Sequence, residues 1–312
     1  QLGLPGWSWD DVRPVFRRMT DHFLGESEHH GVGGEWRVEF PRLRWDIIDA
    51  WRDAAEQYGI PKVTDFNTGD NEGSCYFHVN QKRGVRWSAA RGFLKPALHR
   101  QNLQLETGCL VQAVVFEDKR AVAVRWRQDG GVRSARCRGE VVMAAGSIGS
   151  PQILMLSGVG PAGDLVKFGI AGVLDKPGMG ANLHDHLQLR TIYKVSGVRT
   201  LNEMYASLAQ RAWMGIEYAL FRRGPLTMPP SQLGAFTRSD PSQERANLQY
   251  HIQPLSLDKF GDPLHPFPAF TASVANVRPT SRGTLMLASA DPAAAPKIDP
   301  NYLATTEDQR IA

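Results

Sequence analysis

The stretch that most constrains the fold is Glu140–Gly160, EVVMAAGSIGSPQILMLSGVG. Glu140–Ala144 is apolar on both faces, the pattern of a strand buried in a layered α/β sheet. It runs into Ala145, Gly146 and Ser147, none of which carries a bulky side chain. A second apolar run follows and stops at Ser157–Gly158. Ser150 reads as its N-cap, Pro151 as its first helical residue and Gly158 as its stop. The stretch therefore predicts strand, tight turn, helix. The turn has two readings. Glycine supplies backbone angles that other residues resist; alternatively, small residues let a ligand approach the backbone at a helix N-terminus, which favours negative groups.

The flanks extend this mixed pattern. A helix with Ser8 as cap is expected in PGWSWDDVRPVFRRM. A second, amphipathic helix carries Ile47, Ile48, Trp51, Ala54, Ala55 and Tyr58, with Gly59 and Pro61 ending it. RWSAARGFLKPALHR reads as a helix broken near Pro96. Strand-like runs follow at Leu103–Glu106, Leu110–Phe116, Ala121–Arg127 and Val132–Arg136, punctuated by EDKR and QDGG. LNEMYASLAQRAWMGIEYALFRRGPL predicts one long helix, and NLQYHIQPL, FTASVANVRP and GTLMLASA predict strands. Thr305 or Thr306 reads as the N-cap of a final helix, with acidic Glu307 and Asp308 in its first turn.

Composition narrows the functional classes. At 312 residues, 42% hydrophobic and 22% charged, the chain has the make-up of a globular protein. Its net charge of +4 is scattered, without the clustered stripe of a nucleic-acid binder, though it permits contact with an anionic membrane surface. Cys75, Cys109 and Cys137 form neither a metal-ligand spacing nor a disulfide framework, which fits a reducing, cytoplasmic setting. No run is long enough to span a bilayer and no signal-peptide pattern follows Gln1. The chain opens on Gln and stops just inside a helix, so it is expected to be a segment of something longer. G-x-G-x-x-G and G-x-S-x-G are both absent; GVGG at Gly31–Gly34 and GMGANL at Gly178–Leu183 read as turns. His184 and His186 read as loop histidines, and no metal centre is expected; the tryptophans read as packing residues.

VVMAAGSIGSPQILMLSGVGPAGDL followed by GIAGVLDKPGMGANLHDH resembles the glucose-methanol-choline (GMC) family of FAD-dependent oxidoreductases. The resemblance extends through GLPGWSWDDVRPVFRRM, DFNTGDNEG, GVRWSAARGFLKPAL and SRGTLMLASADPAAAPKIDPNYL, essentially the whole chain. It implies an α/β fold with α+β character. Residues 96–186 would be the middle piece of an incomplete FAD-binding domain. Residues 1–95, with connecting segments, and 187–312 would form a substrate domain of antiparallel sheet and helices. By the same resemblance Val111 meets the adenine end of FAD through its backbone. Ala145, Gly146 and Ser147 lie beside the cofactor, and Asn182, Asp185 and His186 belong to a loop near the flavin. The family's glycine fingerprint would lie upstream of Gln1 and its catalytic histidine downstream of Ala312, so no residue here is assigned as the base.

The resemblance implies hydride transfer from an alcohol to flavin, with the protein orienting substrate and excluding water. SQLGAFTRSD and PTSRGTLML lean toward the bacterial alcohol dehydrogenase branch. The implied substrate is choline-like or an aliphatic or polyether alcohol, and the acceptor a quinone or dye rather than oxygen. Alternatives are an oxygen-using oxidase, a hydroxynitrile lyase, or an inactive truncated product.

Overall fold

The computed structural model describes residues 3–312. Two compact units divide the chain: Gln1–Leu103 with Gln188–Arg278, and Gln104–Leu187 with Pro279–Ala312. Among the described residues no helix is long and apolar enough to cross a membrane.

The first unit is built on a five-stranded antiparallel sheet. Its strands run Gln188–Lys194, Ala269–Asn276, Leu248–Gln253, Leu233–Thr237 and Gly73–Tyr76, in that spatial order. Directly paired residues share a face, so Tyr76, Leu233, Ile252 and Ala272 form one row. That face is covered by the helices Asp46–Gln57 and Leu208–Phe221 through Ile48 and Met214, joined by Trp45 and Met204. Ile48, Leu233 and Ile252 are fully buried. The first helix, Trp9–Met19, has the expected Ser8 cap, and the cap is reciprocal, with Asp11 returning a bond to the Ser8 backbone. The long helix expected after Thr200 is two: Leu201–Ala206 and Leu208–Phe221. Ser207 adopts extended angles between them and its hydroxyl accepts the Gln210 N–H, so a local cap outcompetes helix continuation.

The second unit carries a three-stranded meander, Leu110–Glu117, Arg120–Gln128 and Gly131–Arg136. Asp129 and Gly130 both take positive φ, the geometry of the tight hairpin turn that Asp-Gly favours. The helix Gly146–Leu156 packs against the first of these strands. Met155, Leu165, Leu285 and Leu287 form its core.

Two expected strands do not form. Leu103–Glu106 and Glu140–Ala144 are irregular, and Val142 is 81% exposed. An apolar run becomes a strand only where a neighbour takes its backbone groups, and no strand pairs with either run among the described residues.

Candidate functional site

The helix after the turn starts earlier than its sequence signals suggest. It runs Gly146–Leu156 with Ala145 at the cap position, so Pro151 lies inside it. Ser150 does not cap; its hydroxyl reaches back to accept the Ala145 N–H at 3.1 Å, which ties the turn together from within the helix. Ala145 has no side-chain oxygen, and no side chain caps this helix. Gly146 has φ +79°, and a Cβ there would meet nothing within 4 Å. Ala145, Gly146 and Ser147 are all exposed. The turn therefore presents open backbone and an uncapped helix end, a surface suited to an acceptor-bearing ligand. At its far end the helix is anchored to the meander: the Ser157 hydroxyl accepts the Val114 N–H at 2.8 Å and donates to the Ile153 carbonyl at 2.6 Å.

Val111 lies on that meander strand, paired with Trp126. The next pair is Ala113 with Arg125, so Gln112 bulges out of register beside Val111. A bulge bends the strand locally and re-aims the backbone groups around it.

Asn182, Asp185 and His186 share one loop. Leu183 and Gly283 exchange backbone bonds at 3.1 and 2.6 Å, and the Leu285 N–H donates to the Gly180 carbonyl at 2.7 Å. Gly180 has φ +77°, and a Cβ there would sit 2.1 Å from the Leu285 oxygen, so only glycine lets the loop lie this close. Asn182 follows with φ +66°. Asp185 accepts from its neighbour's His186 N–H at 2.9 Å and from the Tyr302 hydroxyl. That bond to a carboxylate, with some burial, pushes the Tyr302 phenol up to about 12. His184 and His186 are exposed and join no metal-ligating group among the described residues. Each piece thus has its own anchor within one unit: the turn through Ser150 and Ser157, the loop through the Gly283–Leu285 edge.

In the first unit the other sheet face, which carries an aromatic layer, went unmarked in the sequence. Phe66 packs on Phe236 and Phe77, with ring centroids 4.9 and 5.8 Å apart, and Phe77 lies 5.5 Å from His251. A Cβ at Gly234 would meet the Phe77 ring at 2.3 Å, so this aromatic layer depends on glycine below it. Beside it opens a cleft of about 700 Å³ lined by Phe77, Asn80, Tyr218, Met228, Ser231 and His251, among others. Its residues come from three separated segments, and the only sequence signal was strand alternation in NLQYHIQ, which puts His251 opposite Ile252.

Comparison with known proteins gives this geometry a family. Residues 1–188 match the profile described as GMC oxidoreductase. Human mitochondrial choline dehydrogenase is 36% identical over 306 residues, which is 98% of this chain and 51% of that protein. The Pseudomonas putida alcohol dehydrogenase [acceptor] is 35% identical over 312 residues, 99% of this chain and 56% of that protein. The chain thus spans about half the length of the curated relatives it matches. Among solved structures, pyridoxine 4-oxidase from Mesorbium loti superposes with a TM-score of 0.83 at 25% identity, covering 99% of this chain and 57% of that one. A formate oxidase shares the fold, with a TM-score of 0.84 at 20% identity, over 98% of this chain and 59% of that one. With a profile match over more than half its residues, carrying both the open turn and the pinned loop, the chain belongs to the GMC oxidoreductase family.

Proposed function

We propose that this chain forms part of an FAD-dependent enzyme that oxidises the CH–OH group of a small alcohol, and that its second unit holds part of the cofactor. The observation that carries the reading is the turn at Ala145–Ser147: exposed, free of bulky side chains and opening an uncapped 11-residue helix. Those features fit a large planar cofactor with phosphates, which needs close backbone approach and N–H donors. FAD, when bound, supplies the hydride acceptor. The chain's own residues do the positioning. Val111, beside the bulge at Gln112, offers backbone groups to the adenine end. Gly146 leaves the cofactor room, and Asn182, Asp185 and His186 form a loop held rigid against the Gly283–Leu285 edge. Tyr302 fixes the orientation of the Asp185 carboxylate.

The cleft of the first unit is the proposed seat of the alcohol, with apolar Phe77 and Met228 for its carbon skeleton and Asn80 and Ser231 for its polar groups. Choline-like and aliphatic or polyether alcohols are the proposed class, with a quinone or dye-like molecule as electron acceptor. The relatives named choline dehydrogenase and alcohol dehydrogenase [acceptor] support this class. No residue of this chain is assigned as the base that takes the hydroxyl proton.

The visible absorbance spectrum of the purified chain, loaded with excess FAD and desalted, tests the cofactor reading. A retained flavin spectrum is expected, and Gly146→Val should weaken retention at least about tenfold by blocking the backbone. A colourless, folded wild-type chain would show that this part of the site does not hold flavin by itself, and flavin retained equally by wild type and Gly146→Val would overturn the role of the turn. Turnover by the complete enzyme that requires oxygen and ignores quinones would overturn the acceptor.

A further inference from the structure

A second constellation lies in the first unit, and one of its members, His78, also lines the cleft proposed for the alcohol. Its donors come from three segments. His22 ends the strand Thr20–His22, Asp65 sits in the loop before the strand Gly73–Tyr76, and His78 follows that strand. His22 and Asp65 are 4% and 6% exposed, and the His78 side chain 7%. One ligand atom from each lies within 4.8 Å of the other two. His22 Nε2 and His78 Nδ1 are 3.3 Å apart, and His78 Nδ1 is 3.9 Å from Asp65 Oδ1. Phe23 packs edge-on against His78 at 4.9 Å, so the group sits against apolar surface.

We propose that His22 Nε2, His78 Nδ1 and Asp65 Oδ1 form a binding site for a zinc ion that clips these three segments together. Bonds of about 2.0–2.1 Å at the tetrahedral angle put neighbouring donors about 3.3–3.4 Å apart. The two histidine nitrogens already have that spacing, and the carboxylate, 3.9 Å from His78 Nδ1 and within 4.8 Å of the His22 ligand atom, closes it by moving inward. Two imidazoles and one carboxylate match the preference of a borderline divalent ion, not that of calcium or magnesium. An outer layer is also in place. The other Asp65 oxygen accepts from His30 Nε2, and Oδ1 is steadied by the Asn67 N–H at 2.8 Å. The His30 ring stacks on His22 at 3.8 Å with planes 5° apart. Such partners orient ligands before the ion arrives.

The histidine tautomers specify what binding must change. The Leu24 N–H donates to His22 Nδ1 at 3.3 Å, so in the neutral ring without the ion the His22 proton sits on Nε2, 3.3 Å from His78 Nδ1. Coordination moves that proton to Nδ1, turns the ring away from Leu24 and releases the Leu24 amide. A zinc ion in this position needs neither flavin nor alcohol, so its success or failure is independent of the cofactor reading.

Zinc added to the metal-stripped 312-residue chain, followed by chelator competition, is the test. One ion per chain is expected, with a Kd of about 1 μM or tighter, and a melting temperature raised by about 5 °C at saturating zinc. His22→Gln and His78→Gln should each weaken binding at least about 100-fold, and His30→Gln about tenfold, with folding checked by circular dichroism. In the unmodified chain, zinc should speed hydrogen exchange at the Leu24 amide. A folded chain that binds no zinc overturns the proposal. So does binding that leaves the Leu24 amide unmoved, or binding unchanged in both His22→Gln and His78→Gln.

Discussion

Two groups of histidine and aspartate in this chain are opposites. His184, Asp185 and His186 are consecutive, conspicuous in sequence and exposed, and they assemble no common ligand cluster. His22, His30, Asp65 and His78 are scattered over 56 positions between the first and last, yet fold into one buried knot. Burial separates them. In water a carboxylate and an imidazole are well solvated and their contact adds little. Out of water each must find a partner, so the same residue types become a structural joint.

The largest expected effect lies in the buried knot. Asp65→Asn removes the charge that His30 and the Asn67 amide face, and should cost about 2–3 kcal/mol in urea unfolding. Asp185→Asn, made on the exposed loop, should stay within about 0.5 kcal/mol. Equal losses at the two positions would break the comparison.

The second unit has its own buried carboxylate, and Asp308→Asn ranks next. Asp308 accepts from the Thr280 and Ser281 amides at 2.9 and 2.8 Å and from the Thr280 hydroxyl, which docks the final helix onto that turn. Burial raises its pKa, but the bonds from Ser281 and Thr280 outweigh this and bring it to about 2. Its folded pKa lies below the ordinary 3.8, so its contribution is present above about pH 4 and is lost as pH falls toward 2. The substitution should cost about 1–2 kcal/mol at neutral pH and flatten that acid limb.

A smaller effect follows from His22. Burial, then the neighbouring His30 and His78, depress its pKa to about 4 from an ordinary 6.5. Between those values the unfolded chain binds more protons, so stability should rise with pH from about 4 to 6.5. His22→Gln should reduce that slope, read from melting temperatures across the range. Smallest is Tyr302→Phe. It should leave stability within about 0.5 kcal/mol and remove a phenol absorbance titration near pH 12.

Much of the fold was legible because local rules and tertiary packing agree. Ser8 capping, the Ile48 and Trp51 helix and the Asp129–Gly130 turn read directly from local pattern, and the family motif from its resemblance. Readings failed where a local signal met a stronger competitor. Ser207 broke a helix that hydrophobic periodicity would continue, and Ser150 was drawn inward to the Ala145 amide instead of capping. Glu140–Ala144 carries a strand's composition without a partner strand among the described residues. The zinc-site donors were invisible for another reason. Spacings of 43 and 13 residues match no ligand motif, because the packing of separate segments and not the local chain brings them together.

The exposed run Glu140–Ala144 has a consequence for handling and for assembly. Val142 is 81% exposed and no strand pairs with the run among the described residues, and an unpaired apolar run is a template for another strand. It leads directly into Ala145 and Gly146, so whatever strand docks on it also steadies the proposed flavin turn. A charge in place of the exposed Val142 would act as a gatekeeper against such pairing. A single substitution there would therefore bear both on strand pairing and on the proposed cofactor turn.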